Sequence, residues 1–181
     1  MLKRKGFFPR PPRGIRGRAR LLVRLALLGL ALLAALGANT ALEGRVVSVP
    51  DGDTIVVYTG PGQTQRVRLY GVDCPELGQP FGPDAADAAS DLARFQKVTL
   101  KVMDTDRYKR LVAVVTLPDG TSLNEALLAE GLAWHYGRYC DAPFCRNWKT
   151  LEKNARDARR GLWRQKNPQA PWKWRADHPR R

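Results

Sequence analysis

Histidine is scarce in this chain: only His135 and His178 occur among 181 residues. Neither is spaced as a partner of the cysteines, which argues against a zinc site. His135 lies in an apolar stretch and reads as structural rather than catalytic. No obvious nucleophile has a base beside it, so a covalent enzyme intermediate is not expected. Cysteines number three. Cys140 and Cys145 bracket the loop DAPF and could pair in an oxidising compartment, whereas Cys74 reads as a free thiol. Acidic residues are absent from residues 1–24, which hold nine Lys/Arg. The apolar run that follows, LALLGLALLAALGA, has fourteen residues, short of a full membrane span. A basic lead ahead of such a run is the pattern of a secretory signal. Ala35-Leu36-Gly37 supplies small residues for cleavage after Gly37. The competing reading is an uncleaved anchor over residues 21–38. Both readings expect the rest of the chain to be exported, periplasmic or secreted, with the basic lead left on the cytoplasmic side.

What is present is unevenly spread. The net charge is +14, yet residues 25–145 carry −4, and residues 1–24 and 146–181 carry +9 each. A basic patch points to a polyanion partner, although targeting alone accounts for the N-terminal share. The length suits one domain plus tails, and 44% hydrophobic residues suffice for a modest core. The expected organisation is a leader over 1–38, a folded domain over 39–164 and a basic tail over 165–181. That tail is either a surface wrap anchored by Trp172 and Trp174 or a loose end. No internal repeat is visible.

Five short strand patterns occur, at Arg45–Val49, Thr54–Tyr58, Gln65–Val72, Val98–Met103 and Leu111–Leu117, with turn signals PDGD and GPG between the first three and PDG closing the last. Their close spacing suggests a small closed or nearly closed barrel. Three helices are expected. The first opens at Gly82-Pro83, with Ala86, Ala89, Leu92, Ala93 and Phe95 as its apolar face. The second starts at a capping box, Ser122 with Glu125, and stops at Gly131. The third carries Phe144, Trp148, Leu151, Ala155, Ala158 and Leu162 on one face.

The stretch RVRLYGVDCPE, residues 66–76, concentrates the candidate chemistry. Clustered acids are costly unless a cation or cationic side chains neutralise them. Asp51, Asp53, Asp73 and Glu76 all fall at strand ends, where turns bring distant segments together. Carboxylates suit a hard divalent cation, and Arg68 and Arg110 offer forks that match a phosphate. Acid, metal and arginine together are what phosphodiester hydrolysis requires. Arg68 and Asp73 are five apart, so strict alternation would send them to opposite faces. Gly71 between them marks a bend that re-aims Asp73, and Pro75 stiffens the loop presenting Glu76.

Four motifs in order, VVSVPDGDT, RLYGVDCPE, TDRYKR and LNEALLAEGLAW, make the chain resemble the staphylococcal nuclease (thermonuclease) family over residues 42–163. The resemblance implies an α+β, mainly β, fold: a five-stranded OB-fold barrel with about three helices. It implies a monomeric, calcium-dependent endonuclease acting on DNA and RNA. By position it makes Asp53, Asp73 and the backbone carbonyl of Cys74 the Ca²⁺ ligands, with Asp51 and Thr54 just behind them. Glu76 becomes the residue that positions or activates water, and Arg68 and Arg110 the phosphate clamp. Tyr108 becomes a nucleotide-pocket tyrosine; Tyr136 and Tyr139 both compete for a second aromatic position, or pack at the barrel edge. Asn124 matches a structural amide. Two departures stand out: Cys74 replaces a threonine, and the short LGQPF replaces a lysine-rich loop, leaving the C-terminal bases to compensate on that side. The alternative is an OB module that binds nucleic acid without cleaving it.

Overall fold

The computed structural model describes residues 41–179. The leader, with its signal-or-anchor alternative and membrane attachment through residues 21–38, lies outside the described residues. Among the described residues no helix is long and apolar enough to cross a membrane.

A closed barrel forms the body of the fold. It is built from β1 (Leu42–Asp51), β2 (Thr54–Gly60), β3 (Gln63–Leu69), β5 (Lys97–Thr105) and β6 (Leu111–Thr116), in the order β1-β2-β3-β6-β5. The β3–β6 pair is parallel and the others antiparallel, with β1 also pairing β5 to close the ring. Alternation explains the interior. Ile55 and Val57, Val67 and Leu69, Val98 and Leu100, and Ala113 and Val115 all point inward and are at most 1% exposed. The intervening side chains, Arg66 and Arg68 among them, point out. The five strand patterns correspond to these barrel strands. The third, however, breaks at Tyr70-Gly71, and its end becomes a separate short strand, β4 (Val72–Asp73), paired with β7 (Trp134–His135).

Among the described residues there are four helices, one more than expected: α1 (Gly82–Ala93), α2 (Leu123–Ala129), α3 (Cys145–Asp157) and α4 (Pro171–Asp177). α1 buries Ala85, Ala89 and Ala93. Phe95, expected on that face, lies past the helix end in a left-handed conformation, is 59% exposed and stacks beneath the Arg94 guanidinium. Ser122 caps α2 by accepting from the Glu125 N–H, but only half of the capping box forms. The Glu125 carboxylate instead accepts from Trp148 Nε1 at 2.6 Å, tying α2 to the buried Trp148 of α3. α3 ends at Asp157, before Leu162, because Arg159 and Gly161 take left-handed angles; Leu162 is buried from a 3-10 turn instead.

Asn124 joins helix to barrel. Fully buried, it accepts from the Val115 N–H at 3.0 Å and donates to the carbonyls of Tyr70 at 2.9 Å and Ala113 at 3.4 Å. Tyr70 is the residue where β3 leaves the barrel, so this amide holds the departure point of the chain toward Asp73. Asn124→Ala removes the partners of the Val115 N–H and the Tyr70 carbonyl, while Ala113 keeps the Tyr70 N–H, and is expected to cost about 2–4 kcal/mol, measured by urea unfolding.

Candidate active site

Two turns supply the acidic residues. Asp51 ends β1 and Asp53 lies in the β1–β2 turn, while Asp73 ends β4 just past the Gly71 bend. A backbone bond from the Leu69 N–H to the Asp53 carbonyl, 2.8 Å long, laces the two together. Gly71, at φ +67°, makes the bend that the alternation argument requires. Its carbonyl accepts from the Tyr136 N–H at 2.9 Å, so β7 braces the turn. The turn is also packed tightly, since a Cβ at Gly71 would lie 2.6 Å from Cys140 Sγ.

The result is a chain of alternating charges. Arg68 donates from Nη1 to Asp53 Oδ1 and from Nη2 to Asp73 Oδ1, the latter at 2.7 Å, so one guanidinium fork spans both carboxylates. Asp53 and Asp73 are 4% and 0% exposed. Asp53 Oδ2 accepts from the Cys74 N–H at 2.9 Å, and the Asp53 N–H donates to Asp51 Oδ1 at 3.2 Å. The Thr54 hydroxyl reaches Asp53 Oδ1 at 3.4 Å. Glu76 follows on the loop after β4, where its N–H donates to Gln79 Oε1 at 3.2 Å.

Arg175 completes this chain of charges, and sequence reasoning did not single it out. From α4 it donates Nη2 to Asp73 Oδ2 at 2.8 Å, and Nη1 both to Asp73 Oδ1 at 3.1 Å and to Glu76 Oε1 at 2.8 Å. The segment expected as a wrap or a loose end is thus a helix seated on the site. The signal that could have found it was the pair of tryptophans around a basic residue in PWKWR, placed beyond a loop too short to bring its own lysines.

Electrostatics follow from burial. Burial pushes the Asp53 carboxyl up to about 7; Arg68 and the Cys74 N–H work against this, while Asp51 and Asp73 add to it. Burial disfavours the Arg68 charge, but Asp53 and Asp73 outweigh it and hold its proton more tightly than usual. Burial also raises the Cys74 thiol well above its normal range, which keeps this unpaired cysteine protonated and inert. A site so short of solvent and so rich in carboxylate oxygen suits a hard divalent cation. The donor set is entirely oxygen, and positive charge already fills the spaces between the carboxylates.

The remaining candidates sit around this cluster. Arg110 precedes β6, whose Leu111 and Val112 pair with Val67 and Arg68. Its guanidinium is held by Asp106 at 2.7 Å, in the same loop that presents Tyr108. Tyr108 is 65% exposed, with Arg107 and Arg110 at 4.8 and 5.6 Å from its ring centre. Tyr139 is 55% exposed and meets Tyr136 edge-on at 4.9 Å, while Tyr136 lies flat against Trp172 at 5.1 Å. Cys140 and Cys145 form a disulfide. His135 is nearer to them than its spacing suggested: its ring nitrogen and the two sulfurs lie within 4.8 Å of one another. The strand β7 carries the imidazole there, and it is the disulfide, not distance, that withholds both sulfurs from a metal.

Gly71→Ala forces a side chain into a left-handed angle and against Cys140. It should cost about 2–3 kcal/mol, read as a lower midpoint in chemical denaturation.

Comparison with known proteins identifies a family and relatives. The family described as "Staphylococcal nuclease homologue" matches residues 66–165. A "Micrococcal nuclease" of Shigella flexneri is 40% identical over 152 residues, covering 80% of this chain and 86% of that protein. An "Uncharacterized endonuclease" of Escherichia coli is 37% identical over 134 residues, covering 74% of this chain and 85% of its own. A "Probable staphylococcal-like nuclease" of Oryza sativa subsp. japonica is 39% identical over 112 residues, covering 62% of this chain and 33% of that protein.

Proposed function

The chain belongs to the staphylococcal nuclease family, and from that premise we propose that it is a calcium-dependent endonuclease that hydrolyses phosphodiester bonds of DNA and RNA with little sequence specificity. One observation carries the reading: two buried carboxylates from separate turns, Asp53 and Asp73, are drawn together on the single fork of Arg68, with Glu76 in the same charge chain. Asp53 and Asp73, with the carbonyl of Cys74, would hold the cation, and Asp51 and Thr54 would steady Asp53. When bound, the cation supplies Lewis-acid polarisation of a phosphoryl oxygen and offsets its charge.

The other steps belong to side chains. Glu76 takes the proton of the attacking water as its oxygen bonds to phosphorus in line with the P–O5′ bond that breaks, and the leaving 5′ oxygen takes a proton from solvent. Arg68 and Arg110 bind the phosphate oxygens and stabilise the charge that grows there. Tyr108, exposed between two arginines, offers a face to a base or sugar, and Tyr136 or Tyr139 a second. All these contacts address phosphate, sugar or a generic aromatic face, which explains the absence of sequence preference.

Export belongs to the same reading. The disulfide between Cys140 and Cys145 supports it, because such bonds persist in oxidising compartments. N-terminal sequencing of the exported protein should begin at Ala38 if the leader is removed, or at the chain start if residues 21–38 anchor it.

Glu76→Ala should lower the rate of cleavage by about 10²–10⁴-fold while leaving the unfolding transition in place. A calcium chelator should stop turnover of the wild-type chain, and added calcium should restore it. Binding of nucleic acid without any cleavage would instead mark the barrel as a non-catalytic binding module.

A further inference from the structure

The C-terminal segment is fastened to the site by three contacts of different chemistry. Arg175 pairs with Asp73 and Glu76. Trp172 stacks on Tyr136 with the two rings 2° from parallel, and also meets Trp134 edge-on at 5.6 Å. Gln79, 4% exposed, donates from Nε2 to the Gln169 carbonyl at 2.7 Å while its oxygen accepts from the Glu76 N–H. Apart from the contact with Trp134, each of these anchors ends on a residue assigned above to the cation, the water or the nucleotide, or on the loop that carries Glu76.

We propose that residues 169–178 form an autoinhibitory strap, a tethered competitor whose Arg175 guanidinium occupies the carboxylates that the cation requires and whose Trp172 covers the face of Tyr136. The inference rests on the cation reading above. Asp73 is the crux. Its Oδ1 accepts from both Arg68 and Arg175, and its Oδ2 from Arg175. A divalent cation cannot share those oxygens with both forks in place, because like charges at such separations repel strongly in a poorly solvated site.

The strap is built to open. The Arg175 side chain is 37% exposed against 19% for Arg68, so it is the less buried of the two guanidinium groups on Asp73. α4 has only seven residues; it is buried at its start, through Ala170 and Pro171, and beyond that is held by these side-chain contacts. Nucleic acid adds a second competitor for the strap, since its bases and phosphates offer Tyr136 and Arg175 alternative partners.

Two measurements on the full chain test this. Calorimetric titration with calcium compares wild type with Arg175→Gln, which removes the charge from a partly exposed position. The variant is expected to bind about tenfold more tightly, the factor imposed by a strap closed roughly nine-tenths of the time. Hydrogen exchange then follows the amides of Trp174 and His178, which bond to the carbonyls of Ala170 and Trp174. Saturating calcium should speed their exchange in wild type, and in Arg175→Gln they should exchange fast without calcium. Equal or weaker calcium binding by the variant overturns the strap and leaves the cation reading intact. So does protection in wild type that calcium does not change. If neither chain binds calcium, the cation reading falls and the strap's role as competitor falls with it.

Discussion

Burying carboxylates is the constraint on which the rest of this structure turns. Asp53 and Asp73 are almost entirely removed from water, and an isolated charge in such a place is costly. Arg68 meets that cost by reaching both with one planar fork, which a lysine, as a point charge, could not do. The requirement propagates outward. Arg68 must stand on the outer face of β3, so Val67 and Leu69 fill the barrel. The chain must then reverse its alternation before Asp73, so Gly71 must adopt a left-handed angle. The departing segment must be held, so Asn124 grips Tyr70 and β7 braces Gly71.

The barrel and the site are therefore one construction. The strands that close it bring the β1–β2 turn beside the end of β3, where their backbones are already bonded through Leu69 and Asp53. The parallel pairing of β3 with β6 places the loop bearing Tyr108 and Arg110 next to Arg68. Beside this frame lies an aromatic layer. Trp134 meets Trp163 and Trp172 edge-on, Trp172 stacks on Tyr136, and Arg156 covers both Trp134 and Trp163. This layer carries the C-terminal helix to the carboxylates.

Much of this was legible in the residues. Period-two alternation marked the barrel strands, because each has one face in the core. Capping and stop signals marked α2, since Ser122 and Gly131 act on their own backbone. The acids and Arg68 were visible as a group because they flank turns, and Gly71 because only a bend reconciles Arg68 with Asp73. What escaped notice depends on distant partners. The Glu125 side chain left its capping role for Trp148, Phe95 fell beyond the end of α1, and His135 reached the disulfide through strand pairing.

The sequence by itself determined the barrel, the acidic turns and the arginine between them, because alternation, glycine and turn chemistry act over a few residues. Tertiary structure alone decided that Arg175 joins them. That contact spans about a hundred positions of chain and depends on where the aromatic layer sets the last helix, a placement that no local pattern encodes.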